Sequence, residues 1–106
     1  MAPWGSITPL IGNNPIACAI PAGKEDPIVL GMSLSTVARA KILQTINEGQ
    51  ESIPEGWALD KEGRATTDAK VAKDGLLIPI GDHKGSGLSI AFFFICAGLT
   101  GANWDN

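Results

Sequence analysis

The chain has 106 residues, of which 44% are hydrophobic and 18% are charged, and its formal net charge is −3. This length allows one domain at most, and the composition is ordinary for a globular protein. Because a protein that coats nucleic acid is usually basic, the negative charge leads us to expect no nucleic-acid partner.

The N-terminus has neither the basic region nor the apolar run of a secretory signal. The most apolar stretch, residues 87–99, is shorter than the roughly 20 residues that cross a bilayer. We therefore expect a cytoplasmic protein with no membrane partner.

The two cysteines, Cys18 and Cys96, both lie in apolar surroundings in the sequence. This context favours buried, reduced thiols over a disulfide framework. No spacing of His, Cys, Asp and Glu matches a metal site, so we expect no metal.

Residues 1–15 are rich in proline, glycine and asparagine, which predicts an extended loop. Residues 16–49 predict a strand–strand–helix unit. Short apolar runs at 16–20 and 28–30 flank a polar connection, which indicates two buried strands joined by a turn. From Ser33, apolar residues recur at three- and four-residue spacing, which predicts a helix that Ser33 or Ser35 caps and Gly49 ends.

A strand that runs into a capped helix N-terminus is also a place where α/β proteins hold a phosphate or a ribose. Residues 30–35 have this character. The alternative is that both serines only cap the helix, and the residues alone favour it because serine caps are common.

Residues 50–82 read as a long irregular excursion, which is uncommon without a binding or contact role. Trp57 is expected to anchor it by packing, and the stretch Thr66-Thr67-Asp68 can cap a single helical turn. The apolar cluster at 76–78 is the one candidate for a strand there.

Residues 83–106 combine a glycine-rich turn with an apolar helix predicted from Gly85 to about Thr100. Glycines that open a helix suit phosphate binding, because they remove Cβ atoms and leave unpaired N–H groups facing an anion. Such turns also occur without a ligand, so a structural turn remains the alternative. The helix is apolar on every side, so residues outside this sequence or a second subunit should cover it.

The sequence contains few candidates for catalytic residues. His83 is the single histidine, and it lies between Asp82 and Lys84, where adjacent side chains rarely point at a common atom. Neither a P-loop nor the Gly-x-Gly-x-x-Gly fingerprint of the Rossmann fold is present.

An ordered set of short motifs resembles the type-2 malate/L-lactate dehydrogenase family, which includes ureidoglycolate, sulfolactate and diketogulonate oxidoreductases and cyclic-imine reductases. The likeness covers nearly the whole chain. The motifs are Gly12-Asn13-Asn14-Pro15, Ala19-Ile20-Pro21, Met32-Ser33, Ile53-Pro54-Glu55-Gly56-Trp57-Ala58, Gly63, Thr66-Thr67-Asp68, Pro79, Lys84-Gly85-Ser86-Gly87-Leu88 and Thr100-Gly101-Ala102.

The resemblance implies an oxidoreductase that transfers hydride between NAD or NADP and a small 2-oxo or 2-hydroxy acid. It implies an α/β, non-Rossmann cofactor-binding domain with a mixed sheet and packed helices, in a homodimer whose cofactor sites lie near the subunit interface. Residues 1–106 would form part of that domain. The cofactor contacts carry over to Gly31, Met32 and Ser33 in the strand-to-helix segment and to His83 and Lys84 in the turn.

The chain also departs from the family. It has no match to the upstream Ser-His-Gly stretch whose histidine donates the proton, so we expect a fragment with no catalytic residue of its own. Gly31 stands where the family usually has an aspartate, Phe93 where an acidic residue is common, and Asn13 where threonine is usual. The alternative function is a non-catalytic structural or dimerisation domain in which the turn is architectural.

Overall fold

The computed structural model describes residues 1–102, so residues 103–106 of the last predicted segment lie outside the described part. Its elements confirm the α/β class. In chain order they are β1 (Ile16–Ala22), β2 (Glu25–Met32), α1 (Arg39–Asn47), β3 (Ala58–Leu59), β4 (Ala65–Thr66), α2 (Ala69–Asp74), β5 (Leu76–Leu77) and α3 (His83–Thr100).

The strands form two separate sheets, one of order β1-β2 and one of order β4-β3-β5. All the paired strands in residues 1–102 are antiparallel, so the expected mixed sheet is not found there. For β1 and β2 a tight connection explains this, because they are joined by only two residues and a parallel pair needs a crossover of a dozen or more.

The hairpin predicted in the first third of the chain is present, with Ile16 opposite Met32. Its strands are not buried as predicted, because Ile28 is 65% exposed and Val29 is 70% exposed. The apolar runs were correct indicators of strands, but within residues 1–102 neither strand contributes to the hydrophobic core.

The predictions that Cys18 and Cys96 are buried are both wrong. Cys18 is exposed on β1 and Cys96 is exposed on α3. Each lies in an apolar run, yet neither run has a covering layer among the described residues.

Helix α1 begins later than predicted, at Arg39, and Ala38 precedes it without a side-chain cap. Ser33 and Ser35 do not cap it. The Ser35 hydroxyl instead donates to the carbonyl of Val37 at 2.8 Å. Ser35 also forms an isolated antiparallel bridge with Pro79, which lies far along the sequence. Gly49 follows the helix with φ of +75°, a left-handed conformation that suits glycine.

The hydrophobic core lies between α1, α2 and the three-stranded sheet. Trp57 packs against it, which confirms the predicted role of this side chain. Asp68 caps α2 as expected, accepting hydrogen bonds from the N–H groups of Lys70 and Val71. The buried core residues are Val37, Ile42, Ile53, Ala58, Ala69, Ala72 and Leu77.

Helix α3 contributes nothing to that core. Its first half is anchored by two buried serines, while Leu99 near its end is 83% exposed and Ile95 is 51% exposed. The Cα radius of gyration is 15.8 Å, larger than the roughly 13 Å of a compact chain of this length. Within the described residues no helix has the length and hydropathy to cross a membrane.

Candidate functional site

The glycine turn (residues 80–87, including the first residues of α3) is a tight, self-bonded structure. Its chain reverses through Gly81 and Asp82, which have φ of +58° and +56°. The N–H of Lys84 donates to the carbonyl of Gly81 at 3.0 Å, and the N–H of Gly85 donates to that of Ile80 at 2.8 Å. The Ser86 N–H bonds the Asp82 carbonyl at 3.3 Å.

These bonds correct the expectation of a row of unpaired amides facing an anion. Of the first four N–H groups of α3, those of Lys84, Gly85 and Ser86 are taken by carbonyls of the turn, and only that of His83 has no such partner in residues 1–102. Backbone donation to a phosphate is therefore limited. Lys84, whose side chain is cationic, is exposed beside these amides.

Two glycines of the turn have different physical requirements. A Cβ on Gly85 would lie 2.2 Å from the carbonyl oxygen of Ile80, so only glycine fits this close approach. A Cβ on Gly87 would meet no atom within 4 Å, and Gly87 is exposed. The folded chain therefore requires Gly85, whereas nothing in residues 1–102 requires Gly87.

The segment after β2 is joined to this turn by an antiparallel bridge between Ser35 and Pro79. The N–H of Thr36 donates to the carbonyl of Ile78 at 2.8 Å, and the N–H of Ile80 donates to that of Leu34 at 2.9 Å. The two segments predicted to bind a cofactor are far apart in sequence. This pairing makes them neighbours.

The predicted site residues differ in their surroundings. Gly31 is exposed in β2, and Met32 and Ser33 are half-buried at its end. His83 and Lys84 are exposed at the start of α3. The bridge brings the chain around Ser33 to the turn that carries Lys84, while Gly31 stays on the projecting hairpin.

The hydroxyl of Ser33 already donates its single hydrogen, to the carbonyl of Ser35 at 3.0 Å. Its oxygen accepts from the Ser35 hydroxyl at 3.4 Å, which leaves one lone pair for a further donor. Ser33 is therefore suited to accept a hydrogen bond from a hydroxyl group of a ligand, and it is poorly suited to donate to a phosphate.

The 1–15 loop is fixed onto α3 by serines whose role the sequence reasoning missed. The side-chain amide of Asn14 donates to the carbonyl of Ser89 at 2.8 Å and to its hydroxyl at 3.0 Å. The Ser89 hydroxyl in turn donates to the carbonyl of Gly12 at 3.3 Å, and Ser89 is fully buried. The signal available in the sequence was a pair of serines, three residues apart, at the start of an otherwise apolar helix.

The second serine holds the start of the chain. The N–H of Trp4 donates to the hydroxyl of Ser86 at 2.9 Å. Trp4, Asp82 and Ile7 contribute to the wall of a cavity of about 490 Å³ beside the turn, which we call the turn cavity. Its full lining is Pro3, Trp4, Gly5, Ser6, Ile7, Leu59, Gly63, Ile78 and Asp82.

Among the described residues, no side chain of an ion pair lines the turn cavity, although Gly63 of the same connection does. Arg64 pairs with Asp60 at 2.8 Å and with Glu62 at 3.3 Å in the β3–β4 connection. The backbone N–H of Arg64 is the main cause of a lowered pKa at Asp60, and the N–H of Glu62 and the Arg64 guanidinium add to it. This cluster stabilises a turn. No group of three metal-binding side chains occurs in the described part of the chain.

Comparison with known proteins gives a consistent result. A family model described as malate/L-lactate dehydrogenase matches residues 1–106. A (2R)-3-sulfolactate dehydrogenase (NADP(+)) from Chromohalobacter salexigens is 51% identical over 104 residues, covering 98% of this chain and 31% of the relative. A Delta(1)-pyrroline-2-carboxylate/Delta(1)-piperideine-2-carboxylate reductase from Pseudomonas putida is 41% identical over 106 residues, covering 99% of this chain and 31% of the relative.

A solved structure agrees with this match. The crystal structure of delta1-piperideine-2-carboxylate reductase from Pseudomonas syringae pvar. tomato superposes with a TM-score of 0.87 and is 37% identical, covering 96% of this chain and 31% of that one. The chain therefore spans about a third of the length of these relatives.

Proposed function

Because this chain belongs to the malate/L-lactate dehydrogenase family, we propose that it supplies part of the cofactor-binding domain of an oxidoreductase. The reaction is hydride transfer between NAD(P)H and a small 2-oxo or 2-hydroxy acid. The named relatives act on sulfolactate or on cyclic imino acids. The cofactor domain is proposed to be of a non-Rossmann type, since the sequence lacks the Rossmann fingerprint and the described strands pair only antiparallel.

One observation carries this proposal: the bridge between Ser35 and Pro79 that brings the two predicted cofactor segments together. Ser33 and Lys84 would then contact one ligand, although 50 positions separate them in the sequence.

The residues of this chain act by binding and orientation. When bound, the nicotinamide supplies or accepts the hydride. The Lys84 ammonium neutralises cofactor phosphate charge, and its stem lies beside Gly81, with Cβ 3.6 Å from the position that a Gly81 Cβ would take. Ser33 accepts from a ribose hydroxyl, and Gly31, Met32 and His83 line the cofactor. We assign no proton donor to this chain.

Lys84→Ala tests the charge contact. Loss of a charge-assisted contact is expected to weaken NADPH binding by about 1–3 kcal/mol, or roughly 5- to 150-fold, in a fluorescence titration. Lys41→Ala is the matched control, because Lys41 is also an exposed lysine and lies on α1. Equal NADPH affinity of the two variants would contradict the proposal, and a parallel titration with NADH compares the two cofactors.

The two turn glycines give a second test. Gly87→Ala should raise the thermal stability of the chain, because alanine in a helix is favoured by about 1 kcal/mol over glycine and no atom opposes its Cβ. If the cofactor approaches the backbone here, the same change weakens NADPH binding. Gly85→Ala should instead lower stability, because of the contact with Ile80. A Gly87→Ala variant that is more stable and binds NADPH normally would argue for an architectural turn.

A second candidate is an association module, favoured by the exposed apolar residues Leu88, Ile95 and Leu99 on α3. Contiguous exposed apolar surface usually marks a contact site. In this reading a homodimer forms through α3. Sedimentation velocity at two concentrations tests it, since a concentration-dependent mass without NADPH binding would favour association over cofactor binding.

A further inference from the structure

We propose that a cavity lined by Arg39, Lys61 and Lys73 binds a small anion that carries at least two phosphate or carboxylate groups. We call it the basic cavity. Its volume of about 530 Å³ lies within the ordinary range for small-molecule sites. Its lining includes none of the residues predicted to contact the cofactor, so the proposed ligand is a second molecule with a binding site of its own.

Three separate segments supply the positive charges of this cavity. Arg39 is the first residue of α1, Lys61 lies in the connection between β3 and β4, and Lys73 is in the last turn of α2. The lining has one further charged side chain, that of Asp74. Three cations against one carboxylate leave an excess of two positive charges, although the formal net charge of the chain is −3. A dianion balances this excess.

The cations of the basic cavity have no counter-ion within residues 1–102. Both ion pairs found there involve Arg64, so neither Asp74 nor another carboxylate pairs with Arg39, Lys61 or Lys73. Like charges gathered on one wall repel one another. An anion bound among them replaces that repulsion with attraction, so its binding is favoured over leaving the cavity without one.

The guanidinium of Arg39 is held in place by the end of α2. It donates hydrogen bonds to the carbonyl of Lys73 and to that of Gly75, the second at 3.1 Å, and Arg39 is half-buried. A guanidinium has more N–H donors than these two bonds use, and their planar arrangement matches the oxygens of a phosphate or a carboxylate. Because its position is already fixed, Arg39 loses little conformational entropy when an anion binds.

A neighbouring cavity of about 710 Å³ has a different balance of charge. The two cavities share Lys61 and Asp74. The larger cavity adds two cations, but it also adds two carboxylates, which both pair with Arg64, at 2.8 and 3.3 Å. Its cations and carboxylates are equal in number, so it offers an anion no net attraction. The charge of the wall therefore assigns the anion to the basic cavity.

Titration calorimetry with pyrophosphate and with citrate, at constant ionic strength, tests the proposal. The chain carries Lys84→Ala throughout, so that the proposed cofactor contact cannot bind the probes. Saturable binding of at least one probe is expected. Binding of pyrophosphate alone would support a phosphate ligand and binding of citrate alone a polycarboxylate, whereas saturable binding of neither would overturn the proposal.

Lysine variants then locate the bound anion. Lys61→Gln and Lys73→Gln should each weaken binding by about threefold, the effect of losing one exposed ion pair, and the double variant by about tenfold. Lys41→Gln is the matched control, because Lys41 is an exposed lysine on α1 outside the cavity lining. Far-UV circular dichroism checks that each variant folds. Equal affinity of the double variant and the control for the probe would refute the basic cavity as the site.

Discussion

Replacing Asn14 by alanine should be among the most destabilising changes outside the core. The side-chain amide of Asn14 makes two hydrogen bonds to Ser89, at 2.8 and 3.0 Å. Each is worth about 1 kcal/mol net, and the Ser89 carbonyl, which lies inside α3, keeps its intrahelical hydrogen bond. Asn14 also has φ of +37°, which costs alanine about another 1 kcal/mol. The expected loss is about 3 kcal/mol.

Thermal unfolding followed by circular dichroism at 222 nm measures this loss. For a chain of this size, 1 kcal/mol corresponds to roughly 4–8 °C in Tm, so Asn14→Ala should lower Tm by at least about 12 °C. Asn13→Ala is the matched control, since its side chain makes no hydrogen bond in the described part of the chain and its φ is not positive. Similar Tm values for the two variants would refute the reasoning.

Two further predictions concern single side chains. Because the pKa of Asp60 lies below its ordinary 3.8, its charged form stabilises the fold above that pH, and the contribution is lost as pH falls through the folded-state pKa. Asp60→Asn should therefore lower Tm at pH 7, and the difference in Tm from the unmodified chain should shrink as the pH is lowered below 3.8; a difference that stays constant would contradict the prediction. Asp68→Ala should cost about 1 kcal/mol in urea unfolding by removing the α2 cap, and Thr67→Ala, which leaves that cap intact, should cost less.

Sequence patterns predicted those features whose causes are local. The hairpin, the Asp68 cap and the long helix behind the glycine turn each follow from residues close together in the chain. The start of α1 was missed because Ser35 pairs with Pro79, and a bridge between distant segments overrides a local helix signal.

Burial was predicted less well than secondary structure. The apolar runs that contain Cys18 and Cys96 indicated covered elements, yet both thiols are exposed. An apolar pattern shows that an element has a face to cover, but it does not show where the cover comes from. The chain spans about a third of its relatives' length, so covering residues need not lie within it.

In the candidate site, too, some features have causes close by in the sequence and others have causes far along the chain. His83 and Lys84 were singled out from their neighbours, and their exposure at the turn agrees with a binding role that still awaits its test. The two serines that hold the 1–15 loop to α3 stand out as polar residues at the start of an apolar helix, but their partners could not be predicted, because these lie more than 70 positions away along the chain.

Three segments of this chain close a cycle of hydrogen bonds. The carbonyl of Asn13 in the 1–15 loop accepts a hydrogen bond from the N–H of Leu34 at 3.0 Å, and the carbonyl of Leu34 accepts one from the N–H of Ile80 in the turn. The carbonyl of Ser89 on α3 accepts a hydrogen bond from the side-chain amide of Asn14, which connects α3 to the loop. A ligand that binds only when all three connections are formed stabilises each of them. By thermodynamic reciprocity, each connection then strengthens the binding of that ligand. Under the proposed binding role of Lys84, we therefore predict that Asn14→Ala weakens ligand binding there by lowering the population in which all three connections are formed.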